Sequence, residues 1–196
     1  MTIKTIEFVT GVSLGDDIPQ DLFNHIVFIG RSNVGKSSLI NLVANKKELA
    51  RSSSTAGHTK QVNFYLANKS FYLVDLPGYG YAQGSFDARD SIQQLIEWYL
   101  TYFELDPRQK IVLIVDAKVG LTDLDRQMVL RLEDLEKDFV VVANKIDKLK
   151  KNEQKKNIEA IEVAVHPHAV IPFSVTEKIG LQVLSQEISK LLDKKS

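Results

Sequence analysis

Eight residues, Gly30-Arg31-Ser32-Asn33-Val34-Gly35-Lys36-Ser37, constrain the fold of this chain more than any other stretch. They fit the pattern G-x-x-x-x-G-K-[ST], and their flanks are the ones the pattern needs. His25-Ile26-Val27-Phe28-Ile29, an apolar run of strand length, comes before, and Ser38-Leu39-Ile40-Asn41-Leu42-Val43, apolar at helical spacing, comes after. A glycine-rich turn between strand and helix aims successive backbone N–H groups at one point, and the positive end of the helix adds its field there. That is a cradle for phosphate oxygens. Lys36 supplies a point charge for β- and γ-phosphates, and the Ser37 hydroxyl is placed to ligate Mg²⁺.

The rest of the chain is ordinary enough to let this loop decide. Its 196 residues suit one domain with a full core. Lysine plus arginine equal aspartate plus glutamate at 25 each, so no global field demands a nucleic-acid or membrane partner. The absence of cysteine excludes a disulfide framework, thiolate metal sites and cysteine nucleophiles, and agrees with a reducing cytosol. The N-terminus alternates polar and apolar residues, unlike a signal peptide, and the apolar runs are strand-length. The expectation is a soluble cytoplasmic domain.

In order along the chain, Ile6, Phe8 and Val12 fall near period two and suggest an edge strand before Pro19. After the first strand, loop and helix, residues 46–60 carry turn-formers without periodicity and read as a mobile loop. Runs at 62–66 and 71–74 form a hairpin about Asn68-Lys69. Ser85 is the candidate cap of a helix that buries Ile92, Leu95, Ile96, Tyr99, Leu100 and Phe103, with Trp98 as packing and Pro107 beyond its end. A strand at 111–115 follows, then a helix capped by Thr122 with Met128, Val129 and Leu132 inward, a strand at 139–143 and a lysine-rich helix. A strand at 169–173 and a helix bearing Leu181, Leu184, Ile188 and Leu191 close the order. Alternating strands and helices, with strands as continuous apolar runs, predict an α/β domain: a mostly parallel central sheet with helices on both faces.

Ligands of such sheets bind beyond the carboxyl ends of the strands, so the loops there carry the chemistry. After residue 74 comes Asp75-Leu76-Pro77-Gly78, where the aspartate can hold Mg²⁺ and the Gly78 N–H can reach a γ-phosphate. After residue 143 comes Asn144-Lys145-Ile146-Asp147, the N-K-x-D pattern. Its aspartate can accept from the two donors on guanine's edge that adenine lacks, its lysine stem can cover the base, and Asn144 can tie loops together. Phe173-Ser174-Val175 opens a loop whose backbone N–H groups can read the guanine oxygen. The nucleotide-binding candidates are thus Gly30 through Ser38, Asp75 through Gly78, Asn144 through Asp147 and Phe173 through Val175.

In this order the motifs resemble the guanine-nucleotide signature of the translation-factor-like, TrmE-Era-EngA-EngB-like P-loop GTPases. A more specific likeness lies in Asp75-Leu76-Pro77-Gly78-Tyr79-Gly80-Tyr81-Ala82, in Gly30 to Asn41 and in Thr55-x-Gly57-x-Thr59. Together they resemble the EngB (YihA/YsxC) family of small bacterial GTPases over essentially the whole chain. The resemblance implies a three-layer P-loop NTPase fold in a single GTP-binding domain at 1–196, with 1–22 as an N-terminal extension. It adds Gly57, His58, Thr59, Lys60 and Gln61 to the nucleotide-binding candidates, with Thr59 joining Ser37 and Asp75 at Mg²⁺ when the γ-phosphate is present. It also implies GTP hydrolysis to GDP and phosphate as a molecular switch. The setting implied is a cytoplasmic monomer off the membrane, assembling the large ribosomal subunit and needed for division and septation. The catalytic candidates are Lys36, Thr59, Gly78 and Asn33, the last matching an asparagine that helps some of these GTPases hold K⁺. Two departures stand out: Ala56 where the family has proline, which leaves φ less restricted, and Ser174-Val175 where it has two serines. Tyr79 occupies the place where many GTPases put a water-orienting glutamine, so weak intrinsic turnover is expected.

Other residues have plainer readings. His166-Pro167-His168 reads as a surface turn, because no neighbouring carboxylate or cysteine in the sequence supports a metal pair. Asp116 reads as a strand end, and Asp123 and Asp125 as a helix start at Thr122, in place of acid–base catalysts. Lys148, Lys150, Lys151, Lys155 and Lys156 fit an RNA-facing patch and a solvated helical face equally well. His58 is open between a phosphate contact and a partner contact. Beside the GTPase switch stand two alternatives. One is a metabolic P-loop kinase or ATPase, against which N-K-x-D speaks. The other is a nucleotide-gated interaction module at the division site with incidental hydrolysis.

Overall fold

Strands that are apolar on both faces must be covered on both faces, and that requirement shapes the computed structural model of the chain. The structure describes residues 2–50, 61–80, 86–102 and 108–193. Among them run β1 (Ile6–Val12), β2 (Asn24–Gly30), α1 (Lys36–Val43), β3 (Val62–Ala67), β4 (Phe71–Asp75), α2 (Phe86–Tyr102), β5 (Gln109–Asp116), α3 (Asp123–Asp134), β6 (Phe139–Asn144), α4 (Lys151–Val165), β7 (Val170–Pro172) and α5 (Leu181–Asp193). One seven-stranded sheet results, in the order β1-β3-β4-β2-β5-β6-β7. β1 and β4 both flank β3 antiparallel, and every other pairing is parallel. The chain is a single-domain α/β fold, as its alternation of elements predicts.

The pleat sends neighbouring residues to opposite cores. Ile26 and Phe28 of β2 join Leu39, Ile40 and Val43 of α1 and Leu184 and Ile188 of α5 on one face. Val27 and Ile29 join Leu95, Tyr99 and Leu100 of α2, Leu132 of α3 and Ile161 of α4 on the other. Each such fully buried aliphatic or aromatic side chain contributes roughly 1.5–3 kcal/mol of transfer free energy. Trp98 packs against the second of these cores, and its ring meets Tyr102 edge-on at 5.8 Å.

Local departures have local causes. β1 only approximates period two because its register with β3 shifts between Phe8 and Thr10. The hairpin turns on Asn68 and Lys69, both left-handed at φ 49° and 53°, a pair of positive φ values that matches the right-handed strand twist. The expected mobile loop is pinned over its first residues: Asn41 Nδ2 donates to the Ala50 carbonyl at 2.9 Å and its Oδ1 accepts from the Ala50 N–H at 2.7 Å. Ala50 is buried as a result. Ser85, Phe103 and Pro107 lie outside the described residues. The histidine turn does have a carboxylate beside it, supplied from 35 positions away: His168 Nε2 lies 3.1 Å from Glu133, while its ring stacks on Phe139 at 3.7 Å. A single carboxylate and an aromatic face make that a packing contact between α3 and β6. Among the described residues no group of three or more His, Asp or Glu side chains gathers for a metal, and no helix is long and apolar enough to cross a membrane.

Candidate functional site

Parallel registry brings five strand ends to one edge of the sheet. Phe28 pairs with Asp75, Gly30 with Ile114, Asp116 with Asn144 and Ala143 with Pro172. The loops after β2, β4, β5, β6 and β7 therefore open onto one crevice, the position such sheets reserve for ligands.

The phosphate loop turns back on itself through Asn33 at φ 68° and Gly35 at φ 96°. Gly35 is the N-cap of α1 and gives its first-turn N–H groups no side-chain acceptor, so an anion is their natural partner. A Cβ on Gly35 would also sit 2.4 Å from Asn144 Nδ2. Lys36 Nζ pairs with Asp75 Oδ1, both largely out of solvent. The lysine of one loop and the carboxylate of the next thus converge.

The loop after β4 is zipped to the phosphate loop. The Ser32 N–H donates to the Tyr79 carbonyl at 3.0 Å and the Tyr79 N–H donates to the Gly30 carbonyl at 3.3 Å. Ser32 Oγ donates to the Gly78 carbonyl at 3.3 Å. Leu76 and Pro77 are buried and fix the loop's depth. Tyr79 is itself buried, with its hydroxyl donating to Asp125 Oδ1 at 2.8 Å. Burial, and next the Asp125 carboxylate, push this phenol far above its ordinary value, so it remains a donor throughout the physiological range. Arg31 Nε donates to the same carboxylate at 2.9 and 3.2 Å.

At the other end, Asn144 Nδ2 donates to the Val34 carbonyl at 2.8 Å. Lys145, left-handed at φ 65°, donates from Nζ to the Asn33 carbonyl at 2.7 Å and to Asp116 Oδ2 at 2.8 Å. Burial opposes the charge on Asp116, yet hydrogen bonds from Lys145 and from the Lys118 and Val119 N–H groups hold it below its ordinary value. Ile146–Lys148 form a single 3₁₀ turn. Ser174 Oγ donates to Asp147 Oδ1 at 2.7 Å and is the leading reason that Asp147 lies below its ordinary value, with Lys148 assisting against burial.

The phosphate-loop, D-x-P-G, N-K-x-D and serine-loop candidates are thus brought together. Several serve by placing their loops: Val34, Leu76, Ile146 and Phe173 have core side chains, and Val175 packs at the margin of the α1 side. Phe173 accepts from the Ile146 N–H at 3.1 Å and donates to the Ala143 carbonyl at 2.8 Å, so both its peptide groups are engaged in holding the loop. Ser38 and the Asn33 side chain face solvent. Gln61 is not brought to the crevice: its side chain donates to Ser13 Oγ at 3.5 Å and lies against Gly11, both beyond β3 at the sheet edge. Gly57, His58, Thr59 and Lys60 lie outside the described residues.

Sequence reasoning missed three participants. Asp116 is reachable in principle, since neighbouring parallel strands put it beside Asn144. The Ser174 hydroxyl was passed over for its backbone. Asp125 betrayed only its helix-cap spacing, and nothing local reveals Arg31, 94 positions earlier, as its partner.

Residues 25–145 match the family model described as a 50S ribosome-binding GTPase. The chain is 41% identical over 189 residues to "Probable GTP-binding protein EngB" of Acholeplasma laidlawii, covering 95% of this chain and 97% of that one. It is 46% identical over 162 residues to the protein of the same name from Clostridium beijerinckii, with 83% and 81% covered. Among solved structures, the crystal structure of a probable GTP-binding protein engB superposes with a TM-score of 0.70 at 22% identity, covering 87% of this chain and 99% of that one. Curated relatives at this identity over nearly their full length, the GTPase model and the shared fold agree: the chain belongs to the EngB family of GTP-binding proteins and is a GTP hydrolase.

Proposed function

We propose that the chain is a GTP-driven switch for assembly of the large ribosomal subunit, with Asp147 selecting guanine and the phosphate loop gripping the polyphosphate. The observation that supports this most is the double tie between the two loops. Asn144 and Lys145 both donate to phosphate-loop carbonyls, so a base held at one and phosphates held at the other belong to one ligand. In this reading Lys36 and the Gly78 N–H stabilise the γ-phosphoryl charge as it develops. Ser174 orients Asp147; its own N–H is taken by the Ile179 carbonyl at 3.2 Å, contrary to the expectation that it reads the base, so the Val175 N–H is the backbone donor assigned to the guanine oxygen.

The donor set fits Mg²⁺, a hard ion that prefers oxygen ligands. Ser37 supplies a hydroxyl at the start of α1, and Asp75 supplies a carboxylate from the end of β4. Ser37 and Asp75 would hold the ion with Thr59, and when bound it neutralises charge on the β- and γ-oxygens. Asn33, exposed on the loop, is the proposed K⁺-side residue. The domain comprises 1–196, with 1–22 as an extension that supplies β1, and works as a cytoplasmic monomer supporting division and septation.

The test is co-sedimentation with the 50S particle, paired with GTP turnover. The proposal expects retention with a non-hydrolysable GTP analogue that falls with GDP. It also expects turnover that needs Mg²⁺, runs faster in potassium than in sodium, and rises with the particle. Retention independent of nucleotide would favour an interaction module with incidental hydrolysis.

A further inference from the structure

Asp125 makes more contacts than a helix cap needs. Its side chain is fully buried, and it accepts hydrogen bonds from three parts of the fold. The Thr122 N–H and Oγ1 donate to Oδ2 at 2.9 and 2.7 Å, which caps α3. Tyr79 donates to Oδ1 at 2.8 Å and Arg31 Nε to both oxygens at 2.9 and 3.2 Å. Capping explains the first pair alone. The other contacts come from the phosphate loop and from the residue that follows Gly78. A buried carboxylate needs hydrogen-bond donors to offset its lost hydration, and here the donors chosen are the two loops that flank the γ-phosphate position.

We propose that Asp125 is a positioning residue for GTP hydrolysis: by holding Tyr79 and Arg31 it fixes the Gly78-Tyr79 peptide against the phosphate loop, where small displacements change the rate. This rests on the assignment of Gly78 to the γ-phosphate. The peptide is held from both sides. Its backbone is bound by Gly30 and Ser32, and its side chain is bound by Asp125. Next to it, the position of a Cβ on Gly80 lies 2.7 Å from Leu124 Cδ1 and 3.8 Å from the Arg31 stem, so the start of α3 also closes over the segment. Phosphoryl transfer depends mainly on the placement of charge-stabilising groups. Asp125 touches neither substrate nor metal, and acts through Tyr79 and Arg31.

Tyr79→Phe isolates the contact, since it keeps the buried ring and deletes only the hydroxyl. Single-turnover hydrolysis, melting temperature and affinities for GDP and a non-hydrolysable GTP analogue are measured for the wild type, Tyr79→Phe, Asp125→Asn, the double variant and Gly78→Ala. Hydrolysis by Tyr79→Phe is expected to fall about 5- to 30-fold, with the analogue-to-GDP affinity ratio shifted about threefold or more and GDP affinity within about twofold. The double variant is expected to be no slower than Asp125→Asn, because both break one contact. An unchanged rate and ratio in Tyr79→Phe overturns the proposal. So do parallel losses of GDP and analogue affinity with a lowered melting temperature, or multiplicative effects in the double variant. If Asp125→Asn does not fold, Tyr79→Phe decides alone. A ratio unmoved by Gly78→Ala would remove the γ-phosphate assignment and the proposal with it; a ratio moved there but not by Tyr79→Phe would remove the proposal only.

Discussion

The Ser174 hydroxyl, buried and 2.7 Å from Asp147 Oδ1, governs both where that carboxylate points and when it carries charge. The hydrogen bond favours the ionised form, so Asp147 titrates below the ordinary 3.8. The sign follows from this direction. On the proposed assignment of Asp147 to guanine, binding through its ionised form is expected to be complete at neutral pH, to persist down through the usual carboxylate range, and to be lost only as pH falls through the lowered value. Ser174→Ala removes the donor and leaves the carboxylate to Lys148, its own backbone N–H and water. GDP affinity at pH 7 is expected to fall about 3- to 10-fold, and the acid limb of binding should begin at a higher pH than in the wild type. GDP titrations from neutrality to about pH 4 read both effects. Superimposable profiles would mean that the hydroxyl serves only the loop, through its 3.0 Å acceptance from the Glu177 N–H.

At the scale of elements, α3 shows how a local signal and a distant one can share a residue. Thr122 and Asp125 form a capping box, legible in sequence because its partners are three positions apart. Thr122→Ala removes the Oγ1 that accepts from the Asp125 N–H and donates to its carboxylate, while leaving the Thr122 N–H in place. The expected loss is about 1–2 kcal/mol of folding stability, read as a lowered denaturation midpoint with an unchanged slope. A change under about 0.3 kcal/mol would contradict a cap that supports the buried carboxylate. The loop after α1 carries the complementary lesson. Residues 46–50 open a stretch without periodicity, yet Asn41 clamps Ala50 through both of its amide atoms. A side-chain clamp from a helix onto a loop has no periodicity to reveal it.

For the whole molecule, the legible features are those with short range. Strands buried on both faces are continuous apolar runs, so β2, β5 and β6 announce themselves. Parallel connections then force their following loops onto one edge, which is why the placement of the phosphate loop, Asp75, Asn144 and Asp147 at one crevice is legible in the sequence. What stayed hidden depends on tertiary register. Asp125 meets Arg31, Lys145 meets Asp116, and Gln61 turns to the sheet edge instead of the crevice. Each is a polar side chain whose partner is distant in sequence, and no composition or spacing encodes that choice. The claim that joins these observations is that one crevice holds one nucleotide, with a carboxylate reading its base. Nucleotide titrations of the wild type and Asp147→Asn test it most directly. The wild type is expected to bind GDP at least about a hundredfold more tightly than ADP. Asp147→Asn should lose about tenfold or more in GDP affinity and come to prefer xanthosine diphosphate, whose exocyclic C2 oxygen, in place of guanine's 2-amino group, meets the new amide donor. A wild-type preference for ADP, or an Asp147→Asn variant that still favours GDP over xanthosine diphosphate as the wild type does, would contradict the account.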